Sequence, residues 1–329
     1  MSENLFPHEK IKREILVRKE AETSSKYGCK PEDRPTAEII KYGIVNIDKP
    51  KGPTSHQVSA FVQDILGLKK AGHSGTLDPG VTGVLPIALG DATKMSQFLL
   101  TAGKEYVANM HLHKEIDEKT VRKVLKQKFI GKIKQMPPIK SAVKRQWRYR
   151  KIYYLDITEI EGQDILFRVG TQAGTYIRKY IHDIGQELGC GAHMSELRRT
   201  RAGPFNEETL CTLQDLKDAY HYWKEENEKP LQKLIQPVEN AVKHLPKIWV
   251  NDSAVNSLCH GMDLKVPGIV KLETEIQKED LVSLMTLKDE LIAVAKAEII
   301  SKDMLEKQKG KATTMERVFM NPDLYPKIK

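Results

Sequence analysis

The stretch Gly72-His73-Ser74-Gly75-Thr76-Leu77-Asp78-Pro79-Gly80-Val81-Thr82-Gly83 constrains this chain more than any other feature. It opens onto the apolar run Val84-Leu85-Pro86-Ile87-Ala88-Leu89. The apolar run reads as buried structure able to hold a loop rigid, and glycines without a Cβ let backbone approach backbone or ligand closely. Asp78 is the only acid between Ile65 and Gly90. By residue type alone it suits two roles, the bend of a surface Asp-Pro-Gly turn or a carboxylate presented as a nucleophile.

The rest of the chain favours the second role. Upstream stands Tyr42-Gly43-Ile44-Val45-Asn46-Ile47-Asp48-Lys49-Pro50-Lys51-Gly52-Pro53-Thr54-Ser55. Downstream follow Lys104-Glu105-Tyr106, Gln135-Met136-Pro137-Pro138 and Gly174-Thr175-Tyr176-Ile177-Arg178. These five motifs, in this order, resemble the TruB and dyskerin family of pseudouridine synthases. Lys140-Ser141-Ala142-Val143-Lys144-Arg145 and Gly191-Ala192-His193-Met194-Ser195-Glu196-Leu197-Arg198-Arg199-Thr200-Arg201 are most similar to the family's archaeal, guide-RNA-dependent branch. Gly80 departs from relatives, which often carry a basic residue there, and the departure touches a phosphate contact rather than the chemistry.

A length of 329 residues allows about two domains. Lys and Arg total 53 against 44 Asp and Glu, a net charge of +9 that favours a polyanionic partner. Cys29, Cys190, Cys211 and Cys259 stand far apart without a Cys-x-x-Cys pair. That spacing indicates neither a zinc knuckle nor a disulfide framework, and it suits a reducing cytoplasm. The acidic, weakly apolar first residues hold no stretch suited to a signal peptide or membrane span.

Val58, Phe61, Val62 and Ile65 predict a helix behind the capping residues Thr54 and Ser55. Ile152 to Ile160 and Ile165 to Val169 flank Glu161-Gly162-Gln163-Asp164 as an antiparallel hairpin. Ile177, Tyr180, Ile181, Ile184 and Leu188 predict a helix stopping at Gly189. Helices mixed with strands point to an α+β fold with a mixed, mainly antiparallel sheet. After Cys211 the pattern is helical and charged. Beyond Pro246, a short helix ending near Gly261, the Pro267-Gly268 turn and strands at Leu281 to Leu287 and Leu291 to Ala297 fit a small β-barrel, and His260-Gly261-Met262 with Val266-Pro267-Gly268-Ile269 resembles a PUA domain. Residues 1–40, charged and weakly patterned, read by composition as a disordered lead. The resemblance instead implies a strap on the PUA domain, with a catalytic domain over residues 41–245 and the PUA domain over 246–323.

The family's reaction breaks the uridine C1′–N1 bond, turns the uracil and joins C5 to C1′. This isomerisation needs no nicotinamide, phosphate donor or metal, and the chain carries no P-loop, no Rossmann signature and no clustered metal ligands; no cofactor is expected. What the reaction needs is a nucleophile or base in a pocket that excludes water. The resemblance gives that place to Asp78, which attacks base or ribose or takes a proton. A buried carboxylate needs a fixed cation to stay ionised, and the resemblance supplies Arg178 as a bidentate partner. It also implies Tyr106 as a stacking platform for a flipped base, Tyr176 as a hydroxyl near the reacting base, His73 beside the flipped nucleotide and Leu197 at the pocket wall. His73 fits a structural hydrogen bond equally well.

Lys140, Lys144, Arg145, Arg148, Arg150 and Lys151 interleave with Trp147, Tyr149, Tyr153 and Tyr154. Cations among aromatics suit phosphate contact with base stacking, and the run resembles the family's thumb loop over substrate RNA. Arg198, Arg199 and Arg201 add a second basic cluster near the active-site helix. The expected function is an RNA pseudouridine synthase acting on ribosomal RNA under an H/ACA guide RNA, and on the transfer-RNA T-arm. Implied partners are a small zinc-ribbon protein, a small β-barrel protein and a kink-turn-binding protein, with no membrane. The rival readings are a guide-independent transfer-RNA enzyme and a non-catalytic RNA-binding scaffold.

Overall fold

In the computed structural model, residues 4–137 and 144–327 are described. Fifteen strands among them build two sheets. In chain order these are β1 (Ile15–Val17), β2 (Gly43–Lys49), β3 (Ala71–His73), β4 (Thr82–Leu89), β5 (Lys104–Leu112), β6 (Gly131–Gln135), β7 (Arg148–Glu161), β8 (Asp164–Thr171), β9 (Ala192–Ala202), β10 (Ile235–Pro237), β11 (Lys247–Val250), β12 (Ile269–Glu273), β13 (Leu281–Met285), β14 (Leu291–Ala297) and β15 (Thr313–Val318).

The larger sheet has the order β10-β2-β4-β9-β5-β8-β7-β6, with β3 also on β4. Every pairing in it is antiparallel except β4 with β9. Its centre is apolar on both faces, which is why Val84 to Leu89 reads as an unbroken hydrophobic run. One face packs on the helices Ser55–Leu66 and Leu213–Lys224 through Val58, Val62, Leu66 and Leu216. Toward β5 and β8, the helix Ile177–Glu187 inserts Ile177, Tyr180, Ile181 and Ile184. The helix Ser55–Leu66 starts behind Thr54 as expected, and Ile177–Glu187 ends two residues before Gly189. The hairpin turns at Gly162 and Gln163, because Glu161 faces Asp164.

The smaller sheet has the order β1-β12-β11-β13-β14-β15 around its own core, from Ile248 to Tyr325. It is no loose appendage. Trp249, Met285, Leu291, Val294 and Phe319 join Ile44, Val84, Ala88 and Phe98 in one buried cluster, so the two sheets share a hydrophobic seam. The charged lead, disordered by composition alone, is held at both ends. β1 pairs antiparallel with β12, and Ser24 and Thr23 hydrogen-bond the carboxylate of Asp252. At the other end Phe6, 1% exposed, packs against Tyr153 and Tyr154 under the guanidinium of Arg201, 4.3 Å from its ring. Among the described residues, no helix is long and apolar enough to cross a membrane.

Candidate active site

Two strands share one edge of β4. β3 pairs at its far end, His73 opposite Ile87, while β9 pairs only at its start, Gly83 opposite Arg199. The loop carrying Asp78 leaves β3 and returns to β4 across the gap between them. Gly83, at φ +103°, is required there, since a Cβ would collide with the carbonyl oxygen of Arg199.

Buried polar groups fix the loop. The Ser55 hydroxyl accepts from the Leu77 N–H at 2.8 Å and donates to the Leu77 carbonyl at 3.1 Å, both ends being buried. On the other side the Lys49 ammonium, wholly buried, donates to the carbonyls of Pro50 at 2.9 Å, Pro79 at 3.3 Å and Val81 at 2.8 Å. Burial lowers the Lys49 pKa, and the nearby Asp78 carboxylate works against that shift. The Asp78 carbonyl accepts the Val81 N–H at 3.0 Å, closing the turn. The backbone on either side of Asp78 is thus tied down while its carboxylate projects outward, 57% exposed.

Arg178 reaches it from the first turn of the helix Ile177–Glu187. Its Nη2 donates to Asp78 Oδ2 at 2.6 Å. This corrects two expectations. The pair is joined through one nitrogen, not two, and it stands in solvent, with Arg178 65% exposed. In the RNA-free chain water reaches the carboxylate, so any exclusion of water awaits a ligand. Gln135, 2% exposed, sets the start of that helix. It accepts the Tyr176 N–H at 3.1 Å and donates to the Tyr176 carbonyl at 3.2 Å. Gln135 and Tyr176 come from two of the sequence motifs, and the contact holds both in place beside the pair.

Tyr106 lies on β5 opposite Arg199 of β9, and Leu197 is two residues earlier on β9, opposite Ala108. His73 ends β3 with its ring 4.7 Å from that of His56, edge to face. Its Nδ1 accepts weakly from the Gly75 N–H at 3.4 Å, and its buried Nε2 has no partner among the described residues. Burial, with His56 and Arg199 adding to it, lowers the His73 pKa to about 4, which keeps the ring neutral at pH 7.

The second basic cluster is engaged within the protein. Arg198 forms a bidentate pair with Asp48 at 2.9 and 3.0 Å and also binds Glu207. Arg201 pairs with Glu9, and Arg199 is 1% exposed beneath the loop. All three hold elements together. Of the thumb run, Lys140 lies outside the described residues; Lys144 and Arg145 are exposed, Arg148 partly so. Trp147 and Tyr149 are 57% and 55% exposed, with Lys134 and Lys132 over their rings at 4.7 and 4.2 Å. Sequence reasoning passed over Lys49, Ser55, Gln135 and Lys104 as site-forming residues, although each lies in or beside a quoted motif. An ammonium in a sequence gives no sign of being buried.

Comparison with known proteins agrees with this architecture along the whole chain. Residues 63–177 match the TruB family pseudouridylate synthase (N terminal domain), 178–243 the tRNA pseudouridylate synthase B C-terminal domain, 4–59 the DKCLD (NUC011) domain and 246–319 the PUA domain. The "Probable tRNA pseudouridine synthase B" of Pyrococcus abyssi is 58% identical over 321 residues, 97% of this chain and 96% of that protein. A solved chain in "Crystal Structure of a Cbf5-Nop10-Gar1 Complex" superposes with a TM-score of 0.93 at 58% identity, covering 98% of each chain. One in "Structure of H/ACA RNP bound to a substrate RNA containing 2'-deoxyuridine" gives 0.92 at 55%, covering 98% of this chain and 99% of that one. With its synthase, DKCLD and PUA segments in one continuous match, the chain belongs to the TruB family and is an RNA pseudouridine synthase.

Proposed function

We infer that Asp78 is the catalytic carboxylate and that the chain works as the catalytic subunit of a guide-directed H/ACA particle. The observation that carries the site is the Arg178–Asp78 contact, which joins two motifs a hundred residues apart on a loop otherwise fixed from beneath. Attack on base or ribose, or proton abstraction, each needs a charged, reachable carboxylate with restrained backbone, and this one is all three. Arg178 holds the charge through one nitrogen, which leaves its remaining donors for an incoming nucleotide.

In this reading Tyr106 stacks under the flipped base, Tyr176 brings its ring beside it from the helix start, Leu197 walls the pocket, and His73 guides the nucleotide as a neutral ring. Lys144, Arg145 and Arg148, with Lys140 of the same run, grip substrate phosphates from the thumb. The chain divides functionally into a strap over residues 1–40, a catalytic domain over 41–245 and an RNA-gripping PUA domain over 246–323, working in the cytoplasm. Support for the particle comes from the similar chains solved with Nop10 and Gar1 and in an H/ACA RNP bound to substrate RNA. The partners that the family resemblance implies are a guide RNA, ribosomal RNA substrate, a zinc-ribbon protein, a small β-barrel protein and a kink-turn-binding protein.

A second reading, direct action on a uridine of the transfer-RNA T-arm, is favoured by the name of the Pyrococcus abyssi relative. Pseudouridine mapping of ribosomal and transfer RNA, incubated with the chain with and without guide and partners, tests both. Guide-dependent conversion supports the first and guide-free conversion of the T-arm supports the second.

A further inference from the structure

Three cations lie under the Asp78 loop, and among the described residues only one carboxylate, the exposed Asp78 itself, acts on any of them. Arg199, 1% exposed, fills the gap where β9 parts from β4: its Nε donates to the Val84 carbonyl at 2.7 Å and its Nη2 to the Gly75 carbonyl at 3.2 Å. Burial opposes its charge more strongly than the Tyr106 phenol beside it favours that charge. Lys104, 5% exposed, donates to the carbonyls of Leu99, Leu100 and Ala102, each at 2.8 Å. Both side chains approach the same point, because a Cβ on Gly75 would lie 3.6 Å from Arg199 Nη1 and 3.9 Å from Lys104 Cε. Lys49 completes the set from the other side of the loop.

Among the described residues, every acceptor of these three side chains is a neutral carbonyl, apart from the phenol of Tyr106. Burying charge without a counter-charge is expensive, and packing alone would be served at least as well by apolar side chains. The three side chains themselves are buried, so water screens their charge little beneath the loop. Burial and Arg199 together pull the Lys104 pKa down to about 7, so Arg199 supplies the constant part of that potential.

We propose that Arg199, backed by Lys104 and Lys49, forms a cationic floor that stabilises negative charge on the uracil ring while it is detached from the ribose. When the C1′–N1 bond breaks, its electron pair stays on N1 and spreads onto the O2 and O4 carbonyl oxygens, while C1′, stabilised by the ring oxygen or bonded to the Asp78 carboxylate, carries the matching deficiency until C5 attacks it. After the ring turns, C5 bonds to C1′, and the proton lost from C5 is matched by the one gained at N1. The charged interval lies between these events. A fixed positive floor lowers its energy without moving, as preorganised dipoles do at other sites of developing charge. These residues are positioning residues, acting through the loop and Tyr106. The proposal rests on the reading of Asp78 and Tyr106 given above.

The test compares single-turnover consumption of the target nucleoside, which reads C1′–N1 cleavage and not the later proton loss that a fluorinated C5 cannot undergo, on guide-matched RNA carrying uridine or 5-fluorouridine, for the unaltered chain, Lys104→Met, Arg199→Met and Arg199→Lys. Fluorine withdraws electrons and makes uracil a better leaving group, so it substitutes in part for the floor. Conversion of uridine by the unaltered chain, with loss of conversion in Asp78→Asn and Tyr106→Ala, secures the underlying reading independently. The floor predicts that Lys104→Met slows uridine by about tenfold. It predicts a clearly smaller loss on the fluorinated base, a larger loss for Arg199→Met and partial recovery in Arg199→Lys. Circular dichroism and urea midpoints establish which variants fold; should Arg199→Met fail to do so, Lys104→Met decides. Equal losses on both bases would reduce the cations to structural supports, and an unchanged rate in Lys104→Met would overturn the proposal outright.

Discussion

Two arginine–carboxylate pairs in this molecule are built in opposite ways. In the seam between strap, large sheet and small sheet, Arg34 grips Glu239 through two nitrogens at 2.9 and 2.7 Å, with side chains 10% and 9% exposed. Glu239 also accepts the Leu291 N–H at 2.9 Å, so its acceptor sites are well used. At the rim of the large sheet, Arg178 holds Asp78 through one nitrogen, with more than half of each side chain in solvent. The seam pair is buried and doubly joined, and it fastens three segments together. The rim pair is open and unsaturated, adds little to stability, and keeps the capacity that a reaction uses.

The largest expected effect breaks the seam. Glu239→Gln leaves the Arg34 charge buried and unpaired, and should lower unfolding free energy by about 3–5 kcal/mol, read from urea denaturation, while the folded fraction keeps its turnover. Arg178→Lys should do the reverse. An ammonium cannot hold Asp78 through one donor of a rigid fork while presenting the others to a nucleotide, so we expect roughly a hundredfold loss of single-turnover rate with less than about 1 kcal/mol change in stability. Comparable losses of stability in the two variants would erase the distinction between seam and rim.

Acid should sharpen the contrast. His244 sits in the seam against the ring of His8, 5.8 Å away, and burial chiefly, with His8, Lys104 and Arg13 contributing, lowers its pKa to about 3. A histidine held below its ordinary 6.5 contributes stability that is complete above that pH and lost as pH falls toward the folded value. Between pH 6.5 and 5.5 this group should cost up to about 1 kcal/mol, visible as a falling urea midpoint that His244→Gln flattens. The smallest effect concerns the thumb. Neutralising Lys144, Arg145 and Arg148 should reduce the log–log salt slope of substrate RNA binding by about 0.7 to 0.9 for each phosphate that the thumb no longer neutralises. An unchanged slope in a salt titration would make these residues an ordinary solvated face.

Much of this was legible from sequence where the signal is local. The helices Ser55–Leu66 and Ile177–Glu187 follow from apolar spacing and a cap, and the β7–β8 hairpin from its glycine-bearing turn. The Asp78–Arg178 contact spans a hundred residues and was legible only through family resemblance. What escaped was burial. Arg198, Arg199 and Arg201 read only as a basic cluster, because a string of arginines carries no mark of which carboxylate or carbonyl will meet each one. For the same reason Phe6 gave no hint that it would lie beneath Arg201, and the small domain gave none that Trp249 and Phe319 would share a core with Ile44. Removing the small domain would therefore tear the large one, so RNA-binding surfaces are better probed by point substitution.

The account turns on Asp78 being a reachable carboxylate whose charge serves chemistry rather than folding. Asp78→Asn preserves shape and the loop's backbone ties while removing that charge. Single-turnover pseudouridine formation by this variant, measured beside its RNA affinity and urea midpoint, is the direct measurement. The predicted result is no detectable pseudouridine with affinity and midpoint close to those of the unaltered chain; near-normal turnover would contradict the account.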